Sequence, residues 1–312
     1  MTTMKAMRIH QYGGPEVLIY EDAPKPQITP QDVLVRVHAA GVNQADWKIR
    51  KGLFQDFAHY TFPFIPGWDF SGVVEAVGDE VAGVSLGQEV YANSDAMRDG
   101  AYASYIAVRA SEVAPKPRTL DHNHAAALPL AALAAWQSLF VAAGLQTGHR
   151  VLIHGAAGGV GLLAVQLAKW KGAYVIGTAS GDDLTLLRDL DVDQVIDYHS
   201  TRFEDVVHGV DVVFDVIGGD TQERSWQTLK REGMLVSIAS TPSVERARAA
   251  GVRSLFVSTL PNGEQLKRVA ELVDTGKIKV FLGTVLPLTD ARHAHELSEF
   301  GHVRGKIVLR VA

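Results

Sequence analysis

The pattern of apolar and polar positions changes character along the chain. Up to about Asp121 the apolar runs are short and alternate: Val33–His38 reads V-L-V-R-V-H, and Gly72–Val77 reads G-V-V-E-A-V before Gly78. Alternation of this kind predicts half-buried strands. Turn residues punctuate the region at Gly13-Gly14-Pro15, Pro24, Pro26, Pro30, Gly41, Gly52, Pro63, Pro66-Gly67, Gly83 and Gly87, which predicts a small, irregular all-β unit. Beyond Asp121 the runs become short, apolar and unalternating. Arg150–His154 is followed by a glycine cluster and a helical stretch to Lys171, which Gly172 stops. Further strands are predicted at Tyr174–Thr178, Gln194–Asp197, Asp211–Val216 and Met234–Ile238, with helical segments between them. Such strands predict a parallel sheet covered on both faces. A helix over Glu264–Thr275 and a strand over Lys306–Val311 close the chain. The reading is an α/β protein, and 312 residues at roughly 150 per domain agree with a pair of domains.

Composition removes several classes of function. Thirty basic residues against 35 acidic leave a net charge of -5, so an electrostatic nucleic-acid surface is not expected. The cysteine count is 0, which removes disulfides, thiol nucleophiles and cysteine-based zinc sites. His122 and His124, like His293 and His295, are paired without implying a third ligand, so no metal is expected. The uncharged run Ala125–Leu145 is long enough to cross a bilayer. It is Ala-rich, carries Pro129 and Gln137-Ser138, and has no basic flank, so it reads as a buried helix. With no apolar signal core near the N-terminus, the expectation is a cytoplasmic protein without a membrane partner.

The strongest local signal is His154-Gly155-Ala156-Ala157-Gly158-Gly159-Val160-Gly161, set between a predicted strand and a predicted helix. Small residues there allow a tight turn and bring backbone amides to a pyrophosphate at the helix N-terminus. Ala156 occupies the place of the usual first glycine. An NAD site expects an acidic residue about 20 positions further on, and at that place stands Ser180. A short hydroxyl leaves room for a 2′-phosphate, although Asp182 and Asp183 follow and no cation comes before Arg188. The reading favours NADPH and leaves NADH open.

Several segments together resemble the medium-chain dehydrogenase/reductase superfamily, in its zinc-free quinone oxidoreductase and enone reductase branch. They are Gly41–Asp46 (GVNQAD), Ile49–Gly52 (IRKG), Pro63–Gly72 (PFIPGWDFSG), Gly100–Ala103 (GAYA), the glycine turn, Val213–Gly219 (VFDVIGG) and Gly305–Leu309 (GKIVL). The resemblance implies a GroES-like β-barrel catalytic domain over 1–121, a Rossmann domain over 122–257 and a return segment over 258–312 that completes the first. It implies an active site in the cleft between domains, and often a homodimer. It places cofactor contacts at Asn43, Ala157, Gly158, Gly159, Val160, Gly161, Ser180, Tyr198, Ile217, Gly218, Ala239, Phe256, Val257 and Lys306. This sequence departs from zinc-dependent relatives, which have Cys at the place of Asn43 and a His-Glu pair at the place of Trp68-Asp69. Their four-cysteine loop is missing, and Ala135 replaces a frequent Thr.

Without a Lewis acid, hydride transfer suits an acceptor that spreads the arriving charge itself, a small-molecule quinone or enone. Asn43 and Trp68 are the catalytic candidates: Asn43 as amide donor or as a turn cap, Trp68 as pocket wall or core aromatic. Lys48, His59 and Tyr60 are near enough in sequence to be considered as acids but read as surface residues, leaving solvent as proton source. Irregular loops near 53–62 and 242–256 are expected to line the pocket. A nucleotide-binding stress or interaction protein with little catalysis is the alternative class. A zinc-type alcohol dehydrogenase is disfavoured by the missing ligands.

Overall fold

The computed structural model describes residues 2–56, 58–301 and 304–312. By its internal contacts the chain divides into one unit of Met1–Leu130 with Leu260–Ala312, and a second of Ala131–Thr259. The first unit opens with β1 (Thr3–Arg8), β2 (Ile19–Pro24), β3 (Asp32–Val42), α1 (Gln44–Arg50), β4 (Asp69–Val77), β5 (Glu89–Asn93), β6 (Tyr105–Arg109), β7 (Val113–Pro115) and α2 (His122–Ala126). α3 (Pro129–Trp136) carries the chain into the second unit. There follow β8 (Arg150–Ile153), α4 (Gly159–Lys171), β9 (Tyr174–Ala179), α5 (Asp183–Asp189), β10 (Gln194–Asp197), α6 (Phe203–Val206) and β11 (Val210–Asp215). α7 (Gly219–Ser225), β12 (Leu229–Ser237), α8 (Val244–Ala250) and β13 (Arg253–Phe256) complete that unit. The return segment holds α9 (Gly263–Asp274), β14 (Leu282–Pro287), α10 (Ala291–Phe300) and β15 (Lys306–Arg310).

β3 is the spine of the first unit. It pairs antiparallel with β4, β6 and β15 within a 7-stranded sheet. Val33, Val35 and Val37 are each 0% exposed, as their alternation predicts. Leu34, on the opposite face, is also buried, because a central strand is covered on both sides. The last strand of the chain, β15, lies against β3, so the C-terminal segment is an integral part of the first unit's sheet.

The second unit is a 6-stranded sheet in the order β10-β9-β8-β11-β12-β13, and every pairing is parallel. The connection reverses direction between β8 and β11, the place where open α/β sheets bind ligands beyond the carboxyl ends of their strands. α4 ends where the sequence predicts: Gly172 takes φ +82, and its N–H returns to the carbonyls of Ala168 and Lys169.

Two expectations need correction. Ala125–Leu145 is not one buried helix. α2 stops at Ala126, Pro129 opens α3, and Gln137–Ala142 winds as a π-helix with Val141 66% exposed. Proline suits a first turn, where its missing N–H costs nothing, but not a helix interior. Among the described residues no helix is long and apolar enough to cross a membrane. The stretch 242–256 is not an irregular loop either. Ser243 accepts the Arg246 N–H at 3.2 Å to start α8, Gly251 closes that helix at φ +66, and β13 follows. Near 53–62, residues 53–56 form turns and 58–61 are irregular; Phe57 lies outside the described residues. Residues 122–130 stay with the first unit, because α2 packs on β3 and β4; the sequence pattern changes at Asp121, before the unit does.

Candidate active site

In the second unit, the predicted phosphate turn leaves β8 at His154 and enters α4 at Gly159. Gly155 takes φ +61, a left-handed conformation that glycine adopts without strain. A Cβ on Gly161 would stand 2.1 Å from the Gly155 carbonyl, so only a glycine lets α4 start this close to the turn. Ala157 is buried in the turn and Gly158 is the helix N-cap. Gly159, Val160 and Gly161 form the first helical turn, whose N–H groups have no intrahelical acceptor. Together they form a cradle fit for a pyrophosphate.

The other expected cofactor residues of this unit occupy equivalent places on their strands. Ser180 follows β9, Tyr198 follows β10, Ile217 and Gly218 follow β11, Ala239 follows β12, and Phe256 and Val257 close β13. Ser180 Oγ donates to the Tyr198 hydroxyl at 2.9 Å. Tyr198, Ile217 and Phe256 are 54%, 56% and 40% exposed, so their side chains remain available to a ligand.

Two buried residues that the sequence reading did not single out shape these loops. The Asp215 carboxylate accepts the N–H groups of Ile217 (3.0 Å) and Gly218 (2.8 Å), the Gln222 amide (2.9 Å) and the Ser237 hydroxyl (2.8 Å). Ser237 Oγ in turn accepts the Ala239 N–H at 3.1 Å. An acidic residue at the end of an apolar strand, just before Gly218-Gly219, was the available signal. His154 links the ends of other elements: Nδ1 lies 3.2 Å from Thr178 Oγ1 and Nε2 lies 2.9 Å from Ser225 Oγ. Ser225 gives its own proton to the Thr221 carbonyl, so Nε2 carries the ring hydrogen and Nδ1 accepts from Thr178. Burial drives the His154 pKa down to about 4 and keeps the ring neutral.

In the first unit, the ends of β3, β4 and β15 meet. Gly41 pairs with Asp69, and Val42 pairs with Ile307, which brings Asn43, Asp69 and Lys306 together. Asn43 Nδ2 donates to Asp69 Oδ2 at 2.9 Å, and the Lys306 ammonium donates to Asn43 Oδ1. Asp69 Oδ1 also accepts the Asn93 amide at 3.0 Å and the Leu130 N–H at 2.8 Å. The Asn43 side chain is therefore turned toward Asp69 and Lys306, not used merely to close a turn.

Asp46, one turn into α1, extends the cluster. Its Oδ2 accepts the Asn43 N–H at 2.9 Å and the Tyr102 hydroxyl at 2.8 Å, while Oδ1 is buried without a partner. Burial raises the Asp46 pKa to about 7 and also raises that of Asp69, on which Lys306 pulls downward. Burial lowers the Lys306 pKa, and Asp69 and Asp46 oppose that shift. Tyr102 spends its proton on Asp46, so its oxygen accepts from His295 Nε2 at 3.3 Å, and His295 Nδ1 accepts from Arg50. Burial, aided by Arg50, takes His295 down to about 3 and keeps it neutral.

The remaining candidates fall outside this cluster's hydrogen bonding. Trp68 is 3% exposed in the first unit's core beside Phe64, and its indole N–H is occupied by the Arg98 carbonyl at 3.2 Å, so it is a core aromatic with no free donor. Tyr60 packs 4.6 Å from Phe64, and burial pushes its hydroxyl up to about 12. His59 is exposed and Lys48 lies 5.6 Å over the Trp47 ring. Ala135 is 0% exposed in α3.

The zinc of metal-dependent relatives does not fit this donor set. Both oxygens of Asp69 and both ends of the Asn43 amide are engaged, and an ammonium stands beside them. Among the described residues no group of three or more His, Asp or Glu is placed to hold a metal ion.

Comparison with known proteins places this architecture. Residues 29–118 match the alcohol dehydrogenase GroES-like domain, and residues 190–309 match the zinc-binding dehydrogenase family. An NADPH-dependent alkenal/one oxidoreductase of Arabidopsis thaliana is 36% identical over 98% of this chain and 79% of its own length. The quinone oxidoreductase of Rattus norvegicus is 31% identical over 97% of this chain and 96% of its own. The solved quinone oxidoreductase of Coxiella burnetii superposes with a TM-score of 0.92 at 35% identity, covering 100% of both chains. The chain belongs to the medium-chain dehydrogenase/reductase superfamily, joining a GroES-like unit to a parallel-sheet Rossmann unit as its quinone oxidoreductases do.

Proposed function

We propose that this protein is an NADPH-dependent, zinc-independent oxidoreductase that reduces a quinone or the C=C bond of an α,β-unsaturated carbonyl. The observation that carries this reading is the Asn43–Asp69–Lys306 cluster, in which the Asn43 amide, at the place where the resemblance puts a cysteine ligand, is bonded to Asp69 and to the Lys306 amine. The names of the relatives, an alkenal/one oxidoreductase and quinone oxidoreductases, support the same acceptors.

The cofactor would be held at the phosphate turn Ala157–Gly161, at Ser180 and Tyr198, and at Ile217, Gly218, Ala239, Phe256 and Val257. A reduced nicotinamide held there would supply hydride and its electron pair to the β-carbon of an enone or to a quinone. Asn43 meets the oxygen on which that charge collects with an amide hydrogen. A proton from solvent completes the saturated carbonyl, or the hydroquinone. Neutral His154 and the Asp215 hydrogen bonds fix the strand-end loops that would hold the cofactor. The Ser180 hydroxyl, in place of a carboxylate, leaves space for the 2′-phosphate and supports NADPH over NADH.

The test is oxidation of NADPH and of NADH against benzoquinone, phenanthrenequinone, alkenals and simple ketones, before and after dialysis against a chelator. Turnover of quinones or alkenals that survives chelation is expected. Turnover of simple ketones alone, or activity lost on chelation and restored by zinc, overturns the reading.

A further inference from the structure

The strand ends explain why a lysine stands beside Asn43. β15 runs antiparallel to β3 with Ile307 opposite Val42, so one residue further on Lys306 and Asn43 leave adjacent strand ends. The amide of Asn43 is then gripped at both ends: the Lys306 ammonium donates to its oxygen, and its nitrogen donates to Asp69 at 2.9 Å. A cation at one end and a carboxylate at the other admit only one of the two amide orientations. Asp69 is itself fixed by Asn93 and by the Leu130 N–H, so the grip is rigid. One amide hydrogen goes to Asp69, and the second takes no partner among the described residues.

We propose that Lys306 is the positioning and polarising residue of the acceptor site, drawing on Asn43 Oδ1 so that the unpaired N–H of the same amide becomes a stronger donor to the oxygen that turns negative as hydride arrives. Hydrogen bonds in a chain polarise one another, and an ionised partner strengthens the effect. Lys306 and Asp69 each oppose the shift that burial imposes on the other, and Asp46, with Oδ1 unpartnered in the interior, adds no full negative charge while it holds its proton. The cluster thus supplies positive character through an amide and not through direct coordination. This inference rests on the acceptor chemistry proposed above. It gives Lys306 a different task from the cofactor contact that family resemblance implies, and the two tasks predict different losses.

The experiment compares wild type with Lys306→Met, Lys306→Gln, Asn43→Ala and the Asn43→Ala/Lys306→Met pair. Affinity for NADPH is read without substrate, from quenching of tryptophan fluorescence. Hydride transfer is read in single turnovers at saturating NADPH against a series of substituted benzoquinones of graded electrophilicity. In Lys306→Met the affinity is expected to stay within about threefold, while transfer slows by about tenfold to a hundredfold, as for loss of a donor to a developing oxyanion. The loss should be largest for the weakest electrophiles, and the double variant should be no slower than Asn43→Ala alone. Should Lys306→Met fail to fold by circular dichroism, Lys306→Gln is scored by the same criteria, since it keeps a donor there but not the charge. An affinity loss beyond tenfold with full transfer at saturation makes Lys306 a cofactor contact and overturns the proposal. Multiplying losses in the double variant, or an unchanged rate, overturn it as well. A wild type inactive on every quinone and alkenal ends the reading of the reaction, and this inference with it. Active wild type with indifferent Lys306 variants ends this inference alone.

Discussion

Asp46 carries a testable consequence of being buried. Its folded pKa of about 7 stands above the ordinary 3.8, because burial outweighs the hydrogen bonds from Asn43 and Tyr102. A raised pKa means that the folded chain binds the proton more tightly than the unfolded one. The resulting stability is complete below the unfolded value and is lost as pH rises through about 7. Asp46→Asn keeps the shape and removes the titration. Its stability relative to wild type is expected to improve by about 2.6 kcal/mol between about pH 5 and about pH 8, read from urea denaturation at each pH. Parallel profiles for the two proteins would show that the carboxylate ionises freely. At this scale the sequence was readable where spacing is local and silent where partners are distant. Asn43 stood out because it follows a strand in a recognisable segment. Asp46 did not, because its hydroxyl partner Tyr102 is 56 positions away and its environment exists only after folding.

The phosphate turn shows the same division among elements. Its strand, glycines and helix were all legible, since each is specified by neighbouring residues: an apolar run, small turn residues, and a helix stopped by Gly172. The close approach between Gly161 and the Gly155 carbonyl yields a sharp prediction. Gly161→Ala places a methyl 2.1 Å from that oxygen, and backbone cannot yield as a flexible side chain would. The first turn of α4 must shift away from the cradle. Dinucleotide affinity is expected to fall by about tenfold or more, equivalent to about 1.4 kcal/mol, with circular dichroism retained; unchanged affinity in a fluorescence titration would show that the cradle does not need this contact. The Ala125–Leu145 segment was misread for a complementary reason. Apolar content is the same for one long helix and for a broken one. The break depends on Pro129 and on a tertiary bond, the Leu130 N–H given to Asp69, that hydropathy does not encode.

For the molecule as a whole, the order of elements was legible because alternation, glycine punctuation and parallel-strand runs change together. The assignment of α2 was not, since its place is decided by packing on β3 and β4. Chain tracing has a thermodynamic corollary. The backbone passes between the two units at Leu130–Ala131 and again at Thr259–Leu260, so the first unit is built from both ends of the sequence and cannot be assembled until the second has been made. The second unit supplies almost all of the expected dinucleotide contacts, each at the carboxyl end of a parallel strand, and unfolding scatters every one of them. A ligand that binds only the folded chain therefore stabilises it by mass action. At a concentration about 100 times its dissociation constant the gain is about 2.7 kcal/mol, and at roughly 2–4 °C per kcal/mol for a protein of this size class the melting temperature should rise by about 5 to 10 °C. On the proposed reading NADPH should produce a larger rise than NADH at equal concentration, because Ser180 in place of a carboxylate would leave room for a ribose phosphate. Differential scanning fluorimetry of the full chain with each nucleotide decides the matter. Equal shifts would remove Ser180 as the discriminating position, and no shift with either would remove the cofactor reading altogether.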